Sequence, residues 1–176
     1  MSSDRDNIDE LAGQWAAQRP DIDWEVMPLV ARLILVGELM ARQVRRTATD
    51  YGVHHGEGDV MFTLRRAGPP FRLSPSQLAA SLLVTSGTMT NRLDNLEKRG
   101  LIERRPNPSD RRGMDVELTA EGRRLVDEAV VTHVAREQRM VEPLSEQERE
   151  ELARLTRKLL AHLRSGGESA GDVGGG

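Results

Sequence analysis

A mainly α-helical fold with a small β-hairpin wing, the winged helix-turn-helix arrangement, is predicted by three features of this 176-residue sequence. Two helix starts lie close together, at Ser74 and Thr85, and the second helix runs to a stop at Gly100. A charged turn, Pro-Asn-Pro-Ser-Asp-Arg-Arg-Gly at 106–113, separates two short strand-like runs. Long helices with apolar stripes flank this unit on both sides.

Composition narrows the class. Apolar residues make up 38% and charged residues 30%, which fits a globular chain with a real core. No apolar run approaches the ~18 residues that span a bilayer. The polar start, Met-Ser-Ser-Asp-Arg-Asp, lacks the apolar core of a secretion signal, so a cytoplasmic chain without membrane partners is expected. There is no cysteine, which removes disulfides and thiol redox sensing, and four scattered histidines make a poor zinc site. No cofactor is expected. The net charge of −3 hides a local basic stretch: Met89 to Gly113 holds seven basic residues against four acids. An acidic chain with such a stretch fits a nucleic-acid reader, although many solvated faces look alike.

Taken in order, Asn7 to Gln18 reads as a short helix carrying Trp15, broken by Arg-Pro-Asp at 19–21. Residues 1–23 therefore form an N-terminal extension. A long amphipathic helix is expected over about 24–51, with Met27, Val30 and Ile34 on its apolar side and Gly52 beyond its end. The next helix covers about 56–67, with Val60, Leu64 and Ala67 spaced as a buried stripe. Ser74, Pro75 and Gln77 make a complete capping box for a short helix ending near Leu83. Thr85 caps a second helix to Arg99, so the helix-turn-helix occupies about 75–99. A wing over about 101–118 follows: Leu101 to Arg105 is one strand, and Met114 to Leu118 alternates apolar and polar residues as the other. Thr119 and the Ser145–Glu148 capping box start two further helices within 119–164. The body of the fold spans 24–165, and the Gly/Ser-rich end, Ser165 to Gly176 with its tail proper at 166–176, is expected to be disordered.

The second helix of the pair has the chemistry of a DNA-reading helix. With 100° per residue and Met89 at zero, Leu93 and Leu96 fall at about 40° and −20°, so one face is buried. The other face carries Gly87, Thr90, Asn91, Asp94 and Lys98, flanked by Thr88 and Asn95, and Ser86 stands at the helix start. Short hydrogen-bonding groups of this kind contact base edges and phosphates, which makes Ser86, Thr88, Thr90, Asn91, Asn95 and Lys98 candidate DNA-binding residues. An ordinary solvent-facing helix also carries small polar residues. At the wing tip, Arg111 and Arg112 suit a narrow minor groove, and Asp110 can hold one of them by a charge-assisted pair. A solvated turn is the plain alternative there.

From Leu73 to Gly122, including Leu-Thr-Ala-Glu-Gly after the wing, the sequence resembles the MarR family of bacterial regulators. Asp110, Arg111, Arg112 and Gly113 match that family's wing signature. The resemblance implies a homodimer built from its N- and C-terminal helices, about 24–51 and 119–164, acting as a repressor on a double-stranded, pseudopalindromic operator. The extra N-terminal helix, with Gln-Trp at 14–15 and Arg-Pro-Asp-Ile-Asp at 19–23, is similar to the urate-responsive subfamily. That likeness implies a small anionic ligand bound by Trp15, Asp59, Arg66 and Arg92.

The residues make separate sense of such a site. Asp59, Thr63 and Arg66 lie on one helical line. Arg92 flanks the buried face of the reading helix at about −60°. Two arginines favour a planar anion, and Trp15 offers a flat apolar lid. Urate, another purine and a small polycarboxylate all fit this description. Alternatively Asp59 and Arg66 form a structural ion pair, Arg92 meets phosphate and Trp15 anchors its own helix. No phosphate-binding glycine loop, nucleophile elbow or metal-spaced histidine cluster points to an enzyme. His54 and His55 are adjacent and suit a helix start better than a metal site. A helical scaffold that binds proteins would explain the amphipathic ends but not the polar helix face or the arginine-tipped turn.

Overall fold

A computed structural model describes residues 5–107 and 113–166. Asp110, Arg111 and Arg112 of the wing tip, and residues 167–176 of the expected tail, lie outside the described residues. The chain divides into two compact units, Met1–Val134 and Ala135–Gly176. The first contains α1 (Asn7–Gln18), α2 (Met27–Asp50), α3 (His55–Arg66), β1 (Arg72–Leu73), α4 (Pro75–Leu82), α5 (Ser86–Lys98), β2 (Ile102–Pro106), β3 (Met114–Leu118) and most of α6 (Ala120–Met140). The second holds the end of α6 and α7 (Glu146–Gly166).

The expected caps form. Ser74 accepts from the Gln77 N–H while the Gln77 side chain accepts from the Ser74 N–H, a reciprocal box that starts α4. Thr85 accepts from the Thr88 N–H and starts α5. Thr119 accepts from the Gly122 N–H at the start of α6. The Ser145–Glu148 box precedes α7.

Several boundaries differ from expectation for local reasons. The long helix begins at Met27, because Pro28 suits a first turn and Trp24 lies in the preceding turns. Ala67 is the C-cap of α3 and is exposed, so the buried stripe of that helix ends at Leu64. Helix α7 includes Ser165 and Gly166 and so outlasts the expected body of the fold. The wing hairpin is part of a three-stranded antiparallel sheet in the order β1-β3-β2, with Arg72 opposite Glu117 and Arg104 opposite Val116. The third strand is two residues long, too short for alternation to announce it. An ion pair from Arg72 to Glu117 at 2.5 Å closes its edge.

Phe71, just before β1, is buried at φ 60°, a left-handed conformation rare outside glycine. Two guanidinium groups, of Arg65 and Arg123, lie 4.9 and 4.5 Å from its ring centre.

One apolar core joins α3, α4, α5, the sheet and α6. Val60 and Leu64, Leu78, Met89, Leu93 and Leu96, Ile102 and Val116, and Val126 all reach it. Each such side chain contributes roughly 1.5–3 kcal/mol when fully buried. The core therefore fixes α5 from behind and leaves its polar face outward. Gly122 permits α6 to approach the chain at Leu101, whose carbonyl occupies the space a Cβ would need. At the other end of this unit, Arg32 of α2 pairs with Asp6 and Asp9 at 2.8 and 2.6 Å, docking α1 on α2.

Candidate nucleic-acid interface and ligand cavity

Helix α5 presents Ser86, Thr88, Thr90, Asn91 and Lys98 to solvent. Thr88 and Thr90 have local partners: the Thr88 hydroxyl lies 3.0 Å from that of Thr85, and the Thr90 hydroxyl donates to the Ser86 carbonyl at 3.0 Å. Among the described residues, Asn91 forms no side-chain hydrogen bond, so its amide has its full donor and acceptor capacity for a base edge. Asp94, on the same helix, is covered electrically by Arg104 of β2, which donates to Asp94 at 2.6 Å and to Glu97 at 2.5 Å. This pair of bonds ties the wing to α5 and neutralises acids that would repel phosphate. At the root of the wing, Asn107 donates to the buried Asp115 carboxylate at 2.9 Å.

Asn95 is exposed as well, but its side chain bonds to a second helix. Its amide donates to Glu57 of α3 at 3.1 Å. The Glu57 carboxylate is buried, accepts also from the His54 N–H at 3.2 Å, and lies 3.6 Å from Arg99. Nothing in the sequence marked this acid as more than a solvated helix residue. The one usable signal was the His-x-x-Glu spacing at 54–57, which acts as a capping box with a histidine in the usual serine position: His54 Nδ1 accepts from Gly56 N–H at 3.3 Å. His54 thus serves a helix start, and its ring lies 4.2 Å from that of His55.

A cavity of about 840 Å³ opens in the first unit beside α3. Asp59, Thr63 and Arg66 line it, as their shared helical line predicts, together with Arg45 of α2 and His55. Phe62, Val44 and Leu82 supply apolar wall. Arg66 donates weakly to the Thr63 hydroxyl at 3.5 Å, and among the described residues it forms no ion pair with Asp59. Burial holds the His55 pKa below its ordinary value, with the adjacent His54 adding to the effect; Asp59 opposes it, while Arg45 and Arg92 act in the same direction as burial. Three charged side chains from three helices, Arg45, Asp59 and Arg92, are therefore within electrostatic reach of one imidazole.

Arg92 reaches this region from α5. Its guanidinium lies over Gly56, where an added Cβ would fall 2.5 Å from Cζ. Neither Arg92 nor Trp15 lines the cavity itself. Trp15 stacks on Trp24, with ring centres 5.2 Å apart and planes 20° apart, and the Trp24 indole donates to the Arg19 carbonyl at 3.0 Å. The structure thus brings Asp59 and Arg66 together, sets Arg92 at the first turn of the same helix, and leaves Trp15 on Trp24. Among the described residues no His, Asp or Glu cluster suits a metal ion, and no helix is long and apolar enough to cross a membrane.

Comparison with known proteins agrees with this architecture. The MarR family model matches residues 54–114, which cover α3, the helix pair and most of the wing. The HTH-type transcriptional regulator PecS of Dickeya dadantii is 36% identical over 156 residues, covering 89% of this chain and 94% of its own. The chain belongs to the MarR family. As a member it is a DNA-binding transcriptional regulator, and its curated relatives are regulators and not enzymes. The multiple antibiotic resistance protein MarR of Salmonella typhimurium is 32% identical over 102 residues, 58% of this chain and 69% of that protein. Among solved structures, an E. coli MarR variant complexed with operator DNA aligns with a TM-score of 0.64 at 27% identity, covering 77% of this chain and 96% of that one. A MarR family regulator from Streptomyces coelicolor in complex with DNA aligns with a TM-score of 0.68 at 26% identity, covering 81% and 89%.

Proposed function

We propose that this MarR-family chain is a homodimeric, cytoplasmic repressor that reads a pseudopalindromic operator and releases it when a small planar anion, urate or another purine, occupies the cavity beside α3. The observation that carries the ligand reading is the meeting of Asp59, Thr63 and Arg66 on the cavity wall with Arg92 of α5 set against the first turn of the same helix. A forked guanidinium matches planar oxygens, so Arg66 grips the ligand while Asp59 accepts from its ring N–H groups. The stack on Trp24 occupies one face of Trp15 and supports a role as the anchor of α1 rather than a lid. A small polycarboxylate is the second reading, favoured by Arg45, which adds another forked cation to the wall.

On the DNA side, Ser86, Thr88, Thr90, Asn91 and Lys98 meet the major groove. Arg111 and Arg112, supported by Asp110, enter the minor groove from the wing. Two structural neighbours are complexes with DNA, which supports this reading. Dimerisation is supported by apolar side chains left exposed on single elements: Leu29, Val30, Leu33 and Ile34 on α2, and Leu152, Leu155, Leu159 and Leu163 on α7. Exposed apolar area of this extent fits an interface better than a solvated surface. Release requires that the anion bind the DNA-incompetent state more tightly; a coupling of ~1–3 kcal/mol corresponds to roughly 5–150-fold in DNA affinity.

The test is a titration of a duplex selected by the protein from a random library, with and without urate, xanthine or citrate. Wild type is expected to lose affinity in the presence of one of them, while Arg66→Ala binds the duplex but does not respond. A mutant that responds as strongly as wild type refutes the cavity as the sensor.

A further inference from the structure

The two faces of α3 do different things. Asp59, Thr63 and Arg66 line the cavity, whereas Glu57 stands about 200° around the helix from Asp59 and points to α5. Its buried carboxylate has three neighbours: the Asn95 amide at 3.1 Å, the Arg99 guanidinium at 3.6 Å and the His54 N–H at 3.2 Å. Two of these are on or just after the DNA-reading helix and one is at the start of α3. A buried carboxylate with fixed donors on two elements holds those elements in one register, because any slip strands its charge without a partner. Apolar contacts behind α5 resist separation, but they are non-directional and tolerate sliding and rotation far better than a hydrogen bond does.

We infer that Glu57 and Asn95 form a positioning pair: the Glu57 carboxylate, held by Asn95, sets the orientation of α5 relative to the cavity helix and thereby the aim of its DNA-facing side chains. Asn95 then acts on DNA through α5 and not by touching a base. This inference rests on the reading of α5 as the DNA-reading helix. It gives α3 a two-sided role, in which a shift of the cavity wall reaches the reading helix through one polar contact. Gly56 and Glu57 are adjacent, so Arg92 and Asn95, three residues apart on α5, meet α3 at neighbouring positions of its first turn.

The pair permits a polarity swap. In Glu57→Gln/Asn95→Asp the amide of residue 57 donates to the carboxylate of residue 95, and its carbonyl oxygen still accepts from the His54 N–H. Size and total charge are unchanged. Asn95→Asp alone sets two carboxylates face to face. Binding to a duplex selected by wild type, and to a scrambled duplex of equal length, is measured by fluorescence anisotropy. Asn95→Asp and Asn95→Ala are expected to lower the ratio of selected to scrambled affinity by about tenfold, the scale of one hydrogen bond to a charged group. The double variant is expected to return to within about threefold of wild type. If Asn95 reads a base directly, the double variant stays as poor as Asn95→Asp, which overturns the proposal. A specificity unchanged in Asn95→Ala also overturns it. If Asn95→Asp does not fold, a double variant that folds and discriminates supports the pair, and one that folds without discriminating refutes it. A wild type that enriches no duplex refutes the DNA-reading function, and this inference with it; a wild type that discriminates without rescue in the double variant refutes the inference alone.

Discussion

Replacing Gly122 by alanine tests the packing that attaches α6 to the wing. A Cβ at this position would lie 1.9 Å from the Leu101 carbonyl oxygen and 2.8 Å from its carbon, both backbone atoms. Ordinary contact begins near 3.4 Å, so the start of α6 must retreat by more than an ångström. That retreat strains two hydrogen bonds at the same junction, from the Thr119 N–H to the Leu101 carbonyl at 3.2 Å and from the Thr119 hydroxyl to the Gly100 carbonyl at 2.7 Å. Their loss costs ~1 kcal/mol each, and overpacking adds ~1–3 kcal/mol. Alanine returns ~1 kcal/mol of helix propensity, which leaves a net loss of about 2–4 kcal/mol. Gly87→Ala on α5 is the control, since nothing lies within 4 Å of its added Cβ. It is expected to keep or gain up to ~1 kcal/mol. Urea unfolding followed by circular dichroism, at one fixed protein concentration, measures both. A Gly122→Ala midpoint at or above that of wild type refutes the reasoning.

Gly56→Ala acts at the proposed sensor: its Cβ would displace the Arg92 guanidinium, a flexible end that can swing away, so stability is expected to stay within ~1 kcal/mol of wild type while the anion response falls; an unchanged response in the duplex titration speaks against Arg92. Asp6 has its pKa lowered to about 2, mainly by its hydrogen bond to Arg32, and Asp9 is lowered by the same partner. A lowered carboxylate pKa means that docking of α1 is fully supported above the unfolded value of 3.8 and weakens as pH falls toward 2. The sequence has two tryptophans and both are in the Trp15–Trp24 stack, so fluorescence is expected to change over that interval and to be changed already at pH 7 in Arg32→Ala. Arg112→Ala is expected to weaken duplex binding and flatten its salt dependence by about one phosphate contact, with the melting temperature unchanged. Light scattering is expected to give a dimer mass at micromolar concentration.

The helix pair and wing were readable in the sequence because their signals are local. Capping boxes, glycine stops and two-residue alternation each involve a few neighbouring residues. The polar line Asp59, Thr63, Arg66 was readable for the same reason, since helical periodicity alone puts the three on one face. The turn between α4 and α5 was less so. It uses Leu83 at φ 52°, where the sequence offers no glycine or asparagine, and the conformation is imposed by the capped helices on either side. Asn95 shows the limit at the site. By periodicity it flanks the proposed DNA face, and only the position of Glu57 on another helix explains why its amide, on an exposed residue, bonds to α3.

By itself the sequence determined that a capped helix pair, a charged hairpin and flanking amphipathic helices would form, because these depend on propensity, capping and burial pattern within short windows. The tertiary structure decided the partners across elements. It set Arg104 on Asp94 and Glu97, Arg92 over Gly56, Glu57 on Asn95, and Trp15 on Trp24. It also added β1 to the edge of the wing. Such contacts join residues that the chain holds apart in sequence, and their geometry depends on how the core packs the helices. No local rule encodes that packing, so a charged residue's role at the site follows from what the fold brings opposite it.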